Sequence, residues 1–187
     1  MLELISQNTY QVMPWKNGQG TTSQIAIEPP GTAFPDGDYL WRLSSAIVKA
    51  DNSFSQFPGY NRLLSVWQGQ GLRINHQDLL KSAILAFHGE EPIHAELIQG
   101  DVMDIGIIFK RGRVQADMKV LTVLPNQTQS IPLEQKIHFL FCAEGSFKAE
   151  AHTIAHGDTL KVTDQNVITI TGGSGATKIY LIGLSAR

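Results

Sequence analysis

Gln68-Gly69 followed by His76-Gln77-Asp78-Leu79-Leu80, and Glu144-Gly145 followed by His156-Gly157-Asp158-Thr159-Leu160, are the two stretches that decide the fold. Each lies after an apolar, strand-like run that stops at a polar-Gly turn, and in each a second strand arrives at a His-x-Asp step. The step from His76 to His156 is four positions longer than the step from Gly69 to Gly145, so one connection is expected to differ by that much. Similarity at so long a period indicates a duplicated supersecondary unit.

Working outward, short segments rich in β-branched and aromatic residues fill the chain between turn residues. Strands are expected at 39–49, 62–68, 84–87, 102–109 and 118–124. The second half adds 137–142, 159–163, 167–171 and 178–184. Many short strands at close spacing point to a sandwich or barrel. Helical periodicity is weak, the best case being a single turn within 77–82. The polar, proline-bounded run 125–132 reads as a linker, which divides the chain into residues 1–124 and 125–187. Strand exchange between the halves is compatible with that division.

The chain has 187 residues, 42% hydrophobic and 17% charged, with a net charge of −2. This is a globular composition. Mixed charges of nearly zero sum argue against nucleic acid or an anionic membrane as partner. The single cysteine, Cys142, rules out a disulfide within the chain and suits a reducing cytoplasm. An acid sits where a signal peptide would carry bases, and no apolar run reaches membrane-spanning length.

Residues 14–22, Pro-Trp-Lys-Asn-Gly-Gln-Gly-Thr-Thr, concentrate an indole, a cation, an amide and two hydroxyls around Gly18 and Gly20. These side chains suit a carboxylate or amide ligand, although Asn17-Gly18 is also a common type I′ hairpin turn. In the strand at 41–48, alternation places Trp41, Leu43 and Ile47 on one face and Arg42, Ser44 and Ala46 on the other. A guanidinium two residues from a hydroxyl makes a compact anion receptor. Phe54, Phe57 and Tyr60 form an aromatic-rich loop over a cavity mouth or a structural plug. Arg62 then serves as a second basic contact or pairs with Asp104, a carboxylate amid Val102, Met103, Ile105 and Ile107.

Six histidines include no His-x-His pair, and His152 and His156, four apart, flank a short hairpin. A transition-metal site needs three convergent ligands, so neither a metal nor another cofactor is expected. No G-x-S-x-G, P-loop or dinucleotide fingerprint occurs. Cys142, inside an apolar strand, reads as an inert buried thiol.

The segments 13–22, Trp41-Arg42-Leu43-Ser44, 54–62 and Gly100-Asp101-Val102-Met103-Asp104 together resemble the HutD/Ves family. After the aspartate that family continues Asp-hydrophobic-Asn-hydrophobic-Met, where this chain has Asp104-Ile105-Gly106-Ile107-Ile108. The resemblance implies an all-β bicupin, two cupin-like β-barrel or jelly-roll halves packed together, which has exchanged metal ligands for polar side chains. It also implies a link to histidine utilisation or to stress. The expected function is metal-independent binding of a small carboxylate metabolite such as urocanate or formiminoglutamate. Arg42 would take the carboxylate, with Lys16, Asn17 and Thr21 at polar atoms, Ser44 lining the barrel, Trp15 walling it, and Arg62 and Asp104 alongside. The alternative is a small-acid isomerase or hydrolase using Asp104 or Lys16 as base. Cupins often pair through edge strands, so a homodimer belongs to the same expectation.

Overall fold

The computed structural model describes residues 1–15 and 17–187. Apart from one 3₁₀ turn at Gln7–Thr9, every regular element among them is a strand. They are β1 (Leu2–Ile5), β2 (Gln11–Pro14), β3 (Gly20–Glu28), β4 (Trp41–Val48), β5 (Asn52–Ser53), β6 (Tyr60–Gln68), β7 (Gly71–Ile74) and β8 (Gln77–Leu80). Next come β9 (Ile84–His88), β10 (His94–Leu97), β11 (Val102–Lys110), β12 (Val114–Val123), β13 (Thr128–Pro132) and β14 (Ile137–Glu144). The last are β15 (Ser146–Ala149), β16 (His152–Ala155), β17 (Thr159–Thr163), β18 (Val167–Gly172) and β19 (Thr177–Ala186).

Two compact units result: Gln11–Val114, and Met1–Tyr10 together with Gln115–Arg187. This division lies before the expected one at 124/125, and it assigns the opening residues to the C-terminal unit. The reason is pairing. Strand β1 adds to β17 with Leu2 opposite Val162 and Ile5 opposite Thr159. Past it, Tyr10 donates its phenol to the Gly157 carbonyl at 2.8 Å.

The N-terminal unit has a six-stranded sheet, β2-β3-β4-β11-β6-β9, and a four-stranded one, β5-β10-β7-β8. The C-terminal unit has β1-β17-β14-β19-β12 and β13-β18-β15-β16. Strip β2 and β3 from the first unit and β1 from the second, and both show the same eight-strand double Greek key. The duplication is therefore a duplication of topology.

Its second landmark is not equivalent in the two copies, however. His76 belongs to the β7–β8 turn, whereas His156 belongs to the β16–β17 connection. The true counterpart of β9, starting at Ile84, is β17, starting at Thr159. That step nearly equals the one from Gly69 to Gly145, so the expected difference in connection length disappears.

Two further expectations change. The helical turn at 77–82 is strand β8. Asn75 and His76 both take positive φ (46° and 71°), the type I′ geometry that closes a two-residue hairpin between Ile74 and Gln77. The linker at 125–132 contains β13, which pairs with β18 through hydroxyl contacts Thr128–Thr171 (2.9 Å) and Ser130–Thr169 (3.1 Å) and buries Ile131. A polar strand of this kind shows only one apolar residue to a reader of periodicity.

Val123, Leu140, Cys142, Phe147, Leu160, Ile170 and Leu181 belong to a hydrophobic core cluster in the C-terminal unit, where His138 and Thr159 are buried as well. There the Cys142 thiol is buried and pushed up to about 12 by desolvation, the inert thiol expected. In the N-terminal unit, Val48, Leu64, Val66, Leu72 and Val102 form a comparable core, but the same inner face also carries charge.

Candidate functional site

The six-stranded sheet assembles that charge by register. Directly opposed residues of an antiparallel pair share a face. Arg42 lies opposite Ile108, which lies opposite Arg62, whose other neighbour is Phe87. One step along the same face, Ser44 lies opposite Gly106 and Gly106 opposite Leu64. One step further, Ala46 faces Asp104 and Asp104 faces Val66. Arg42, Ser44, Arg62 and Asp104 thus come together on one inner face, as the alternation at 41–48 required for the first two.

Arg42 is only 3% exposed. Its Nε donates to Oε1 of Gln24 at 2.8 Å, while its buried Nη2 has no hydrogen-bond partner. The guanidinium carbon stands 3.8 Å from the ring centroid of Phe34. Desolvation pulls the Arg42 pKa down to about 10, with the positive charge of Arg62 a smaller contributor, so the group stays cationic at neutral pH. Arg62 is boxed by Phe87, Phe54 and Phe57 at 4.9, 5.2 and 5.5 Å, and donates from Nη1 to the Ser55 carbonyl. Cation–π contacts of this kind stabilise a desolvated guanidinium without neutralising it.

Asp104 lies on this face between Ala46 and Val66 and accepts one bond, from the Ala46 amide at 3.2 Å. Burial raises its pKa to about 7, against the pull of Arg62. The ion pairs elsewhere in this unit, Arg73–Asp78, Lys110–Asp38 and Arg111–Glu90, leave Arg42 and Arg62 out.

Several contributors had no sequence signal strong enough to find them. Tyr39 is 1% exposed, and its buried hydroxyl has no partner. Its phenol responds to the charges of both Arg42 and Arg62, while desolvation, the larger effect, raises its pKa. Tyr60 stacks on it at 4.6 Å and donates its hydroxyl to the Tyr39 carbonyl. Gln24 reaches Arg42 because a bulge in β3 between Gln24 and Ala26 lets both Gln24 and Ile27 face inward. The one available hint was two aromatic residues, Phe34 and Tyr39, inside an otherwise Pro- and Gly-rich connection.

The 14–22 segment divides. Trp15 packs half-buried against the inner core and donates its indole N–H to Thr22 at 2.8 Å. Thr22 opposes Ala46 and so takes the inner position, while Thr21 opposes Ile47 on the other face. Asn17 is exposed and hydrogen-bonds within the turn, to Gln19. Gly18 has positive φ (72°), but the Trp15 amide donates to the Gly20 carbonyl at 2.9 Å, so the hairpin closes at Trp15 and Gly20 and Asn17-Gly18 is not a two-residue type I′ turn. Lys16 lies outside the described residues. Gly20 has a packing role. A Cβ there would stand 2.3 Å from the Ile47 carbonyl and 2.9 Å from the Trp15 ring. Gly20→Ala is expected to destabilise by about 2–4 kcal/mol, read as a lower urea midpoint, with Trp15 displaced.

Cupins often hold a metal through histidines, and these residues do not suit one. Two guanidiniums share the inner face, and among the described residues no group of three His, Cys, Asp or Glu is placed to hold an ion. Counting back from the turn glycines Gly69 and Gly145, the counterpart of Arg62 in the C-terminal unit is His138, buried and lowered in pKa by desolvation. Two surface clefts are lined elsewhere. One of about 240 Å³ touches Asn75, His76, Pro92, His94 and Glu96, and one of about 670 Å³ includes Lys148, Glu150 and Gln165.

The HutD family model matches residues 7–179. The chain belongs to the HutD family. A Pseudomonas putida protein described as an uncharacterized 21.2 kDa protein in the hutC 3′ region is 35% identical over 123 residues, 63% of each chain. Protein Ves of Citrobacter koseri is 31% identical over 57% of this chain and 56% of its own. The chain thus spans about three fifths of the length of the curated relatives it matches. The solved HutD of Pseudomonas fluorescens SBW25 superposes with a TM-score of 0.81 at 26% identity, covering 100% of both chains. At 10% identity the bacterial pirin YhhW of Escherichia coli gives 0.69 over 98% of this chain and 99% of its own, a likeness of fold alone. The chain accordingly has an all-β bicupin fold. Gly106 stands between Ser44 and Leu64, and a Cβ there would meet the Leu64 side chain at 3.3 Å.

Proposed function

We propose that the N-terminal barrel of this HutD-family protein binds a small carboxylate metabolite, without a metal, and serves as a binding component linked to histidine utilisation. One observation carries the reading: the guanidinium of Arg42 is buried, cationic and has an unpartnered Nη2. A buried charge without a counter-charge is costly, and a carboxylate placed against it would remove that cost. The Tyr39 hydroxyl, also unpartnered, offers a second donor beside it. Arg62, Ser44 and the aromatic rings suit the remainder of a small, flat acid. The link to histidine utilisation is supported by the names of the relatives.

The test is thermal shift across histidine-pathway acids, urocanate and formiminoglutamate first, before and after dialysis against a chelator. A true ligand at about 100 times its Kd adds about 2.7 kcal/mol of stability. The gain is expected to survive chelation. A flat response to every acid, or a response abolished by chelation, would sink the proposal.

A second reading rests on Asp104, whose pKa of about 7 suits a general base. Under it, one of these acids would be turned over without added metal, and Asp104→Asn would stop turnover while leaving binding intact.

A further inference from the structure

Residues 29–40 join β3 to β4, and most of them are exposed. The exceptions that hold this segment down are aromatic. Phe34 covers Arg42 at 3.8 Å and touches Tyr39 and Phe57, both at 5.4 Å between ring centroids. Tyr39 stacks under Tyr60. The C-terminal end is fixed: Tyr39 belongs to a small core cluster with Ile27 and Ile108, its carbonyl accepts from the Tyr60 hydroxyl, and Leu40 bonds through its backbone to Glu28 and Lys110. An exposed ion pair such as Lys110–Asp38 contributes at most about 1 kcal/mol. Before Tyr39 the segment is mostly exposed and held through the half-buried Phe34, yet it is what shuts Arg42 from water.

We infer that residues 29–38 form a gate over the barrel, with Phe34 as its latch, and that a carboxylate reaches Arg42 only when Phe34 swings off the guanidinium. The inference rests on the binding site proposed above. Phe34 and the ligand compete for one surface. The ring gives Arg42 a cation–π contact but no counter-charge, so the closed state leaves Nη2 unpartnered. A carboxylate supplies what the ring cannot, and the exchange is therefore favourable once the segment has lifted. Opening of this local kind draws on elements with few buried apolar contacts, which describes residues 29–38, hinged at the buried Tyr39, and not β4. The gate also sets selectivity by access, since charge draws small anions to a mouth that Phe34 otherwise keeps apolar.

Phenylglyoxal, which reacts with accessible guanidiniums, tests the gate, with modification of each arginine followed by peptide mass spectrometry. Exposed Arg113 serves as the internal standard. In the unaltered protein Arg42 is expected to react at least tenfold more slowly than Arg113, yet this slowing is expected to be at least tenfold smaller than the slowing of the most protected β4 and β11 amides relative to exchange in free peptide. Phe34→Ala is expected to accelerate Arg42 at least tenfold with Arg113 unchanged. If Arg42 in the unaltered protein is slowed relative to Arg113 as strongly as those core amides are slowed relative to free peptide, access requires global unfolding and the gate is overturned. That comparison needs no variant to fold. Repeating the reaction with urocanate or formiminoglutamate separates the two ideas. Fast, gated reaction without protection by either acid removes the ligand reading and keeps the gate. Protection by an acid, with Arg42 otherwise tied to global unfolding, removes the gate and keeps the ligand.

Discussion

Arg42→Met is expected to stabilise the free protein while weakening carboxylate binding at least tenfold. The side chain is 3% exposed, and its Nε is satisfied by Gln24. Nη2 has no partner. Methionine keeps the stem that packs under Phe34 and deletes the buried charge. Replacing a poorly compensated buried ion by an apolar side chain of similar volume gains about 1–4 kcal/mol in comparable cases. The gain has an opposing term, since Gln24 loses the donor to its Oε1. A hydrogen bond to a charged group is worth about 1.5–3 kcal/mol, so the same substitution should weaken carboxylate binding at least tenfold. Urea denaturation and calorimetry on one preparation read both. A variant that is less stable than the parent, or binds as tightly, would mean that Arg42 is compensated in some other way and is not the anion receptor.

Asp104 supplies the second large effect, and it appears in the pH dependence of stability. Its carboxyl has a pKa near 4 when exposed and about 7 in the fold, because burial disfavours the ionised form. The folded state therefore holds the proton more tightly. Its contribution to stability is complete below pH 4, declines as pH rises from 4 to 7, and is gone above about 7. Across that window the slope is about 1.4 kcal/mol per pH unit at its steepest. Asp104→Asn keeps an oxygen for the Ala46 amide and removes the titration. The variant should lose this slope between pH 4 and 7 and, near pH 8, be more stable than the parent by a few kcal/mol. Parallel curves for the two proteins would show that Arg62 neutralises the carboxylate and that the group is ionised throughout.

How much of this was legible beforehand follows from what each inference needed. Strands β4, β6, β11, β17 and β19 declare themselves because their side chains alternate or run apolar between turn residues, a property of each strand alone. For the same reason Arg42 and Ser44 could be placed on one face. Thr21 was expected at the site and Thr22 was not, although they are adjacent. Choosing between them requires the register of β3 against β4, which no local pattern states. The bulge that turns both Gln24 and Ile27 inward is equally silent. Strand β13 hid behind its hydroxyls, and β8 behind a two-residue turn made of asparagine and histidine in place of glycine. Tyr39 and Phe34 were missed because their role arises where a long connection folds back onto the sheet. The charge of the site could be read from residues; its cover could not.

The pairing of β1 with β17 has a consequence for how the molecule comes into being. During synthesis β1 leaves the ribosome long before its partner β17, with Leu2 opposite Val162. The N-terminal unit, Gln11–Val114, needs nothing made after its own last residue, whereas the C-terminal unit joins Met1–Tyr10 to Gln115–Arg187, made on either side of it. Contacts so distant along the chain carry a high loop-closure cost and form late. The unit bearing the arginines is therefore built to mature first, and the C-terminal unit waits for β17 before it takes up β1.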